Sequence, residues 1–420
     1  MSGRLHRLAN GVRVICDPMP DLETLAVSVV AGRGARAETL GQSGWAHLLE
    51  HMVFKGAGDR SARDIVEVIE AAGGHINAAT SYERTTFQVR ALKGGLGLAL
   101  EVLADLVLRP TLDAQELERE KSVIAQEIAE AADAPDDRVF DLAQARAFAG
   151  QALGRPILGE VHTIATADAA GLRAFRARQY SPDRLVVSAA GAVDEDELLA
   201  LVERLFGGEP AVESAEAEPG VFATGFTPEA RRLEQSHTVL LLPGVGARDL
   251  TYFSQRLFAE ALGGGMSSRL FQEARERLGL AYAIDAYGES YADTGILGIY
   301  AGTAADDASR TAEVAAVQLK SLVDGVGEPE LNRCKAQLKA SLFMARESPL
   351  ARAEHAAGQT LLFDRLFSTA EIASAVDAVG SADIRAYGEA LLQRGQTAGA
   401  VLGPKSALKA GEVFVRALFG

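Results

Sequence analysis

Two histidines and a glutamate stand at a spacing that suits metal chemistry. His47 and His51 are four residues apart, with Glu50 between them. Side chains at this spacing share one face of an α-helix, so both imidazoles can reach one Zn²⁺ at about 2.0–2.1 Å. Ser43 and Gly56 predict where this helix begins and ends. The alternative is a surface helix whose polar residues are unrelated. We predict a catalytic zinc site in which Glu50 takes a proton from water.

A second segment offers the carboxylate that such a site still needs. Glu120 and Glu127 are seven residues apart in a predicted helix over residues 116–130, so they share a face. Most glutamates on such a helix are solvated, which is the alternative interpretation. At an offset of 214 residues, a similar apolar pattern carries Cys334 and Ser341 in their place. Because the apolar positions persist and the carboxylates do not, both glutamates are candidates for the site.

The chain repeats itself at an offset of 212 residues. Several segments match in the same order, which indicates two homologous halves. The matched pairs are residues 27–36 with 239–248, residues 172–175 with 384–387, and Gly191 with Gly403. An acidic stretch that contains proline and glycine separates the halves. We therefore expect a zinc-binding catalytic domain over residues 1–210, a linker over 211–226 and a homologous domain without the zinc motif over 227–420.

The apolar patterns mix strands with helices. Residues 25–29 and 87–91 alternate as half-buried strands do, whereas residues 61–72, 96–108 and 112–130 carry apolar stripes at helical spacing. These elements do not follow a regular βαβ order. We therefore expect an α+β fold in which each half has a mostly antiparallel sheet covered by helices on one face.

Composition narrows the classes of partner. The 420-residue chain has 42 Lys and Arg residues against 57 Asp and Glu residues, a net charge of −15. That charge argues against nucleic acid or an anionic membrane as partners and leaves cationic ligands open. No apolar run approaches the about 20 residues of a membrane span, and the first residues lack the apolar core of a secretion signal. Two cysteines cannot build a disulfide scaffold. We expect a cytoplasmic protein.

The sequence HLLEHMVFKG, residues 47–56, resembles the zinc helix of the pitrilysin/insulinase peptidases, whose H-x-x-E-H order inverts the commoner H-E-x-x-H. The likeness is closest to the branch with the mitochondrial processing peptidase β-subunit and its bacterial relatives. It implies one Zn²⁺ per chain, held by His47, His51 and a glutamate 76 positions further on, which is Glu127. It makes Glu50 the general base and counts Glu120 among the catalytic residues as a support of the site.

The resemblance also implies a substrate-binding strand. Residues 73–80 and 85–87 resemble the active-site edge strand of the family. There Asn77 and Ala78 would hold substrate backbone as an added β-strand. The alternative for Asn77 is a turn residue after the two preceding glycines.

A segment of the second half completes the implied site. Residues 268–282 resemble the distal segment whose arginine and tyrosine reach across to the substrate and the developing oxyanion, here Arg275 and Tyr282. Without the resemblance, Arg275 reads as a solvated helix residue. Residues 263–265, three glycines, resemble a shortened form of the family's glycine-rich loop.

The length suggests a partner chain. Family members assemble four homologous domains into a closed chamber, and one 420-residue chain supplies two. The resemblance therefore implies pairing with a second chain into a clam-like chamber. A homodimer is preferred because one chain carries both the zinc motif and the Arg–Tyr pair; a heterodimer with a related chain is the alternative.

The resemblance covers essentially the whole chain and implies a zinc-dependent endopeptidase for unfolded peptides or presequence-like segments. Two other functions stay open. One is a non-catalytic scaffold subunit, for which the intact motif is unfavourable. The other is a metal-dependent clamp that captures peptides without cutting them.

Overall fold

The computed structural model describes residues 3–213 and 215–420 and divides into two compact units. The first unit contains the chain up to Ala129 together with Pro156–Ala217 and Leu342–Thr369. The second contains Glu130–Arg155, Glu218–Ser341 and Ala370–Gly420. No helix in the described ranges has the length and apolar character that crossing a bilayer requires.

Strands build one main sheet in each unit. The strands of the described residues are β1 (Arg4–Arg7), β2 (Arg13–Pro18), β3 (Thr24–Ala31), β4 (Gly56–Ala57), β5 (Arg60–Ser61), β6 (His75–Thr80), β7 (Thr85–Leu92), β8 (Leu185–Gly191), β9 (Gly225–Ala230), β10 (Gln235–Gly244), β11 (Ala281–Ser290), β12 (Gly295–Ala304) and β13 (Ala398–Gly403).

Helices make up most of the remaining regular structure. They are α1 (Trp45–Val53), α2 (Ala62–Ala71), α3 (Leu96–Leu108), α4 (Ala114–Asp133), α5 (Pro135–Ala147), α6 (Val161–Ala165), α7 (Ala169–Gln179), α8 (Glu195–Phe206), α9 (Tyr252–Gly263), α10 (Ala308–Asp324), α11 (Glu328–Ala345), α12 (Pro349–Phe363), α13 (Thr369–Ala378), α14 (Ser381–Gln393) and α15 (Ala410–Phe419). A π-helical segment spans Phe271–Arg277.

The two main sheets share the order of five strands, and β1 of the six-stranded first sheet has no counterpart in the five-stranded second sheet. In the first unit the order is β1-β2-β8-β3-β7-β6, and in the second it is β11-β12-β10-β13-β9. Each sheet is antiparallel except for one parallel pair, β2 with β8 and β13 with β9. β6 and β11 occupy corresponding edges. The α+β fold with mostly antiparallel sheets is confirmed, and the common order agrees with the sequence repeat.

Helices cover both faces of the first sheet, which differs from the expected single face. Val14 and Val29 lie in the main core with α1 and α3, whereas their neighbours Ile15 and Val30 pack against α12. Successive strand residues point to opposite faces, so α12 lies on the face away from the main core. Three alanines of α12, Ala353, Ala356 and Ala357, are fully buried and permit this close approach. The alternation in the sequence predicts strands that are buried on one face, whereas β3 is buried on both faces along almost its whole length.

One helix of each half belongs to the compact unit of the other half. α5 packs on β10 and β13 in the second unit, and α12 packs on β2, β3 and β8 in the first. The two helices follow equivalent long helices, α4 and α11, in the repeat. The compact units therefore differ from the division at 1–210 and 227–420 in these two segments.

A buried ion pair attaches α12 to the first sheet. The guanidinium of Arg352 donates to both carboxylate oxygens of Asp17 on β2, at 2.7 and 2.6 Å. The Asp17 side chain is 1% exposed and that of Arg352 is 14% exposed. A second pair, between Arg7 and Asp364 just after α12, is more than half exposed on both sides.

We expect Arg352→Met to destabilise the protein by about 3–5 kcal/mol, because it removes the guanidinium that binds both oxygens of the buried Asp17 carboxylate. The matched control is Arg7→Met, which removes the exposed pair and should cost about 0–1 kcal/mol. Urea unfolding followed by circular dichroism measures both changes. Equal transition midpoints for the two variants would contradict the claim that the buried Arg352–Asp17 pair contributes more to stability than the exposed Arg7–Asp364 pair.

Candidate metal centre

α1 presents its polar side chains on one side because its apolar residues occupy the other. Leu48, Leu49 and Met52 are fully buried in the core of the first unit. The 3.6-residue period then turns His47, Glu50 and His51 away from that core, as the sequence pattern predicts. His47 and His51 have side chains that are 14% and 20% exposed. Their ring centroids are 4.6 Å apart.

A carboxylate that sequence reasoning missed caps the start of α1. Glu38 accepts hydrogen bonds from the backbone N–H groups of Gly44 at 2.9 Å and Ala46 at 2.7 Å. A negative charge at a helix N-terminus also interacts favourably with the helix dipole. The predicted cap, Ser43, is wrong: within the described ranges its hydroxyl has no hydrogen-bond partner. Gly44 adopts φ 87°, which lets the chain turn into the helix there.

The structure brings together the three predicted ligands. Glu127 on α4 places Oε2 3.9 Å from Nε2 of His47 and 3.7 Å from Nε2 of His51. One ligand atom from each residue lies within 4.8 Å of the others. Among residues 3–213 and 215–420, this is the one His, Cys, Asp and Glu group with metal-binding geometry.

This donor set fits Zn²⁺. Two imidazole nitrogens with one carboxylate oxygen form a catalytic zinc set, and bonds of about 2.0–2.2 Å require only small closures of the observed separations. Burial, with a smaller contribution from the charge of His51, lowers the pKa of His47 to about 4. The ring is therefore neutral at pH 7, which is the form that binds metals. The Nδ1 atom of His47 is buried and has no partner within the described part of the chain.

Glu120 contacts a ligand and does not belong to the ligand set. Its Oε2 lies 3.0 Å from Nδ1 of His51, and its Oε1 forms an ion pair with Nζ of Lys55 at 2.8 Å. The Glu120 side chain is 6% exposed. A carboxylate on one imidazole nitrogen fixes the ring so that the other nitrogen faces the metal position. Lys55 belongs to the motif of residues 47–56, but its spacing in the sequence does not predict the contact with Glu120.

Glu50 lies on the ligand face of α1 and is held by a residue of the edge strand. The hydroxyl of Thr80, the last residue of β6, donates to Oε2 of Glu50 at 2.5 Å. Burial raises the pKa of Glu50, and this hydrogen bond opposes the shift. The sequence does not predict the hydrogen bond from Thr80 to Glu50, because a threonine at the end of a strand does not indicate which group its hydroxyl contacts.

Asn77 and Ala78 lie in the middle of β6, which ends the first sheet. They pair with Gln88 and Phe87 of β7 on one side, and among the described strands none pairs with the other side. Asn77 is exposed and Ala78 is partly buried. The backbone of β6 can therefore accept an added strand, and Asn77 is a strand residue and not a turn residue.

The residues predicted from the second half belong to the second compact unit. Arg275 is exposed in the π-helical segment, with its guanidinium carbon 4.8 Å from the centre of the Phe271 ring. Tyr282 is 64% exposed near the start of β11, where the register with β12 shifts by a bulge. Gly263 is the last residue of α9 and has no room for a Cβ beside the backbone of Ala286. Close packing explains this glycine.

Comparison with known proteins places the chain among peptidases. Residues 13–161 match the family described as insulinase (peptidase family M16), and residues 166–338 match the peptidase M16 inactive domain. A zinc protease of Rickettsia bellii is 35% identical and covers 96% of this chain and 98% of its own. The zinc protease YmxG of Bacillus subtilis is 37% identical over 88% of this chain and 91% of its own. A protease from Helicobacter pylori has the same fold, with a TM-score of 0.88 at 20% identity, covering 96% and 99% of the two chains.

We expect Glu38→Ala to destabilise the protein by about 1–2 kcal/mol, because the first turn of α1 loses both of its capping bonds. Ser43→Ala is the matched control and should change the free energy of unfolding by less than about 0.5 kcal/mol, since it removes no hydrogen bond. Urea unfolding measures both variants. A larger loss in Ser43→Ala than in Glu38→Ala would restore Ser43 as the cap.

Proposed function

The chain belongs to the insulinase family of peptidases, peptidase family M16, and is a zinc metallopeptidase; on that premise we propose that it is an endopeptidase for unfolded peptides. Presequence-like segments are included among the proposed substrates. The observation that carries the proposal is the position of Glu50, on the same face of α1 as the ligand pair and hydrogen-bonded to Thr80 of β6, whose outer edge pairs with none of the described strands. A partly buried carboxylate next to a zinc set and a strand edge suits peptide hydrolysis.

In the proposed mechanism, the metal supplies Lewis-acid activation and the carboxylate of Glu50 transfers the proton. His47, His51 and Glu127 would hold one Zn²⁺ per chain, which would act as a Lewis acid on a carbonyl group and lower the pKa of water toward about 7. Glu50 takes the proton of the attacking water and delivers it to the leaving amine nitrogen. The hydrogen bond from Thr80 holds the carboxylate in place for both transfers.

Substrate backbone is held by β6. A peptide that pairs with the free edge beside Asn77 and Ala78 must be extended, because each added hydrogen bond uses a main-chain group of the substrate. Folded segments keep those groups in their own helices and sheets. The proposed selectivity is therefore for unfolded chains more than for particular side chains.

Arg275 and Tyr282 are proposed to stabilise the oxyanion. A guanidinium and a phenol both donate hydrogen bonds, and donors aimed at a developing negative charge lower the barrier of acyl transfer. Their exposure is consistent with contacts to a group that this chain alone does not contain.

We further propose that two copies of the chain form a closed chamber in the cytoplasm. Two buried free cysteines are consistent with a reducing compartment. A chamber would exclude folded proteins by size, in agreement with the selectivity proposed for β6. A heterodimer with a related, metal-free chain is the alternative, and placement in the processing-peptidase branch stays a prediction.

We expect the purified protein to sediment at twice the chain mass of 44.3 kDa in analytical ultracentrifugation, without a second gene product. Native mass spectrometry of the same sample serves as the control for composition. A stable species at the chain mass that cleaves peptides at an undiminished rate on dilution would contradict the chamber.

We expect Glu50→Gln to lower the rate of cleavage of an unstructured peptide by about 10²–10⁴-fold, because the general base is lost. Zinc content should be unchanged, since Glu50 is not a ligand. The matched control is Glu67→Gln on α2, an exposed carboxylate paired with Arg63, which should cleave at the wild-type rate. Removal of zinc by a chelator should stop cleavage, and added zinc should restore it.

These measurements also separate the alternatives. Undiminished cleavage by Glu50→Gln protein would refute the assigned base. Zinc bound without cleavage in the wild type, together with peptide binding, would favour the clamp. A dimer that binds no zinc and cleaves no peptide would favour the scaffold subunit.

A further inference from the structure

Lys55 is connected to the ligand set through one carboxylate. Its Nζ atom is 2.8 Å from Oε1 of Glu120, and the other oxygen of that carboxylate is 3.0 Å from Nδ1 of His51. The Lys55 side chain is 32% exposed, so its charged end remains partly hydrated, whereas Glu120 is almost fully enclosed. Lys55 lies two residues beyond the end of α1, and its N–H donates to the carbonyl of Met52. The lysine, the carboxylate and the histidine thus form one chain of contacts.

The charge on Glu120 needs compensation at this place. An enclosed carboxylate is strongly unfavourable unless it is paired and hydrogen-bonded. A neutral imidazole N–H satisfies one of its oxygens but supplies no positive charge. The ammonium of Lys55 supplies it at the oxygen that His51 does not use. Without that cation, the carboxylate of Glu120 would recover hydration by rotating toward solvent. The contact that orients the His51 ring would then be lost.

We propose that Lys55 is a positioning residue of the zinc site: its ammonium holds Glu120 against Nδ1 of His51 and so keeps Nε2 of His51 aimed at the metal. The ion pair of Lys55 is with Glu120, and the lysine acts on the metal position through two other side chains, Glu120 and His51. The inference rests on the ligand set of the proposed function, but it concerns metal affinity and not peptide cleavage.

The test is zinc affinity, measured by competition with a chromophoric chelator at neutral pH. We expect Lys55→Met to weaken zinc binding about tenfold, at the low end of the 10–100-fold that loss of outer contacts of a metal ligand typically causes. Lys55→Arg keeps the cation and should recover most of the affinity. Lys93→Met, which removes an exposed lysine next to Glu23, is the matched control and should bind zinc as the wild type does.

A double-mutant cycle distinguishes positioning from a general structural effect. If Lys55 acts through Glu120, Lys55→Met should cause little further loss of zinc affinity in a Glu120→Gln background. The visible spectrum of the Co²⁺-loaded protein should change in Lys55→Met and in Glu120→Gln and stay unchanged in Lys93→Met. Thermal unfolding of the metal-free variants shows whether each has folded.

Two results would overturn the inference alone. One is wild-type zinc affinity in folded Lys55→Met protein while Glu120→Gln is weakened. The other is an equal loss from Lys55→Met with and without Glu120. A wild-type protein that binds zinc no more tightly than His47→Ala protein would instead overturn the proposed function and this inference together.

Discussion

α1 carries two of the three predicted metal ligands, so the whole centre depends on a second helix, α4, being held against it. α4 meets this requirement by burying Leu117 and Ile124 in the core of the first unit. That apolar contact fixes the height and rotation of α4, and the seven-residue spacing then carries Glu120 and Glu127 to the same side. Packing therefore sets the position of the third ligand, Glu127. The contact of Glu120 with His51 sets the orientation of the His51 ring.

The second half shows that this packing does not require the chemistry. α11 buries Leu331 and Cys334, the latter at the position where α4 has Glu120. Burial raises the pKa of the Cys334 thiol to about 11, so the side chain stays neutral and needs no cation beside it. The same helix position accepts a buried charge in one half and a buried neutral group in the other. A duplicated fold can thus lose a metal centre at little cost in packing, which agrees with the inactive domain that the second match names.

The local parts of the centre could be predicted from the sequence because their partners lie at fixed spacings. His47, Glu50 and His51 share a face by helical period alone, and the fold class followed from alternation and stripes. The contacts made across loops could not be predicted: Glu38 reaches α1 across a turn that contains the more conventional cap Ser43. The sequence also did not predict that α5 belongs to the second compact unit and α12 to the first, for a related reason. An amphipathic pattern states that a face is buried, but it does not state which sheet buries it.

In the proposed function, the edge strand β6 would both bind the substrate and position the general base. β6 exposes one row of backbone groups to an incoming chain, and its last residue, Thr80, holds the carboxylate of Glu50. A substrate that adds to this edge takes its register from the same strand that fixes the base. The scissile bond and the proton acceptor are then positioned by one rigid element, so little of the geometry depends on substrate side chains. Under the proposed function, this arrangement would let the enzyme select extended chains and still place one peptide bond at its metal.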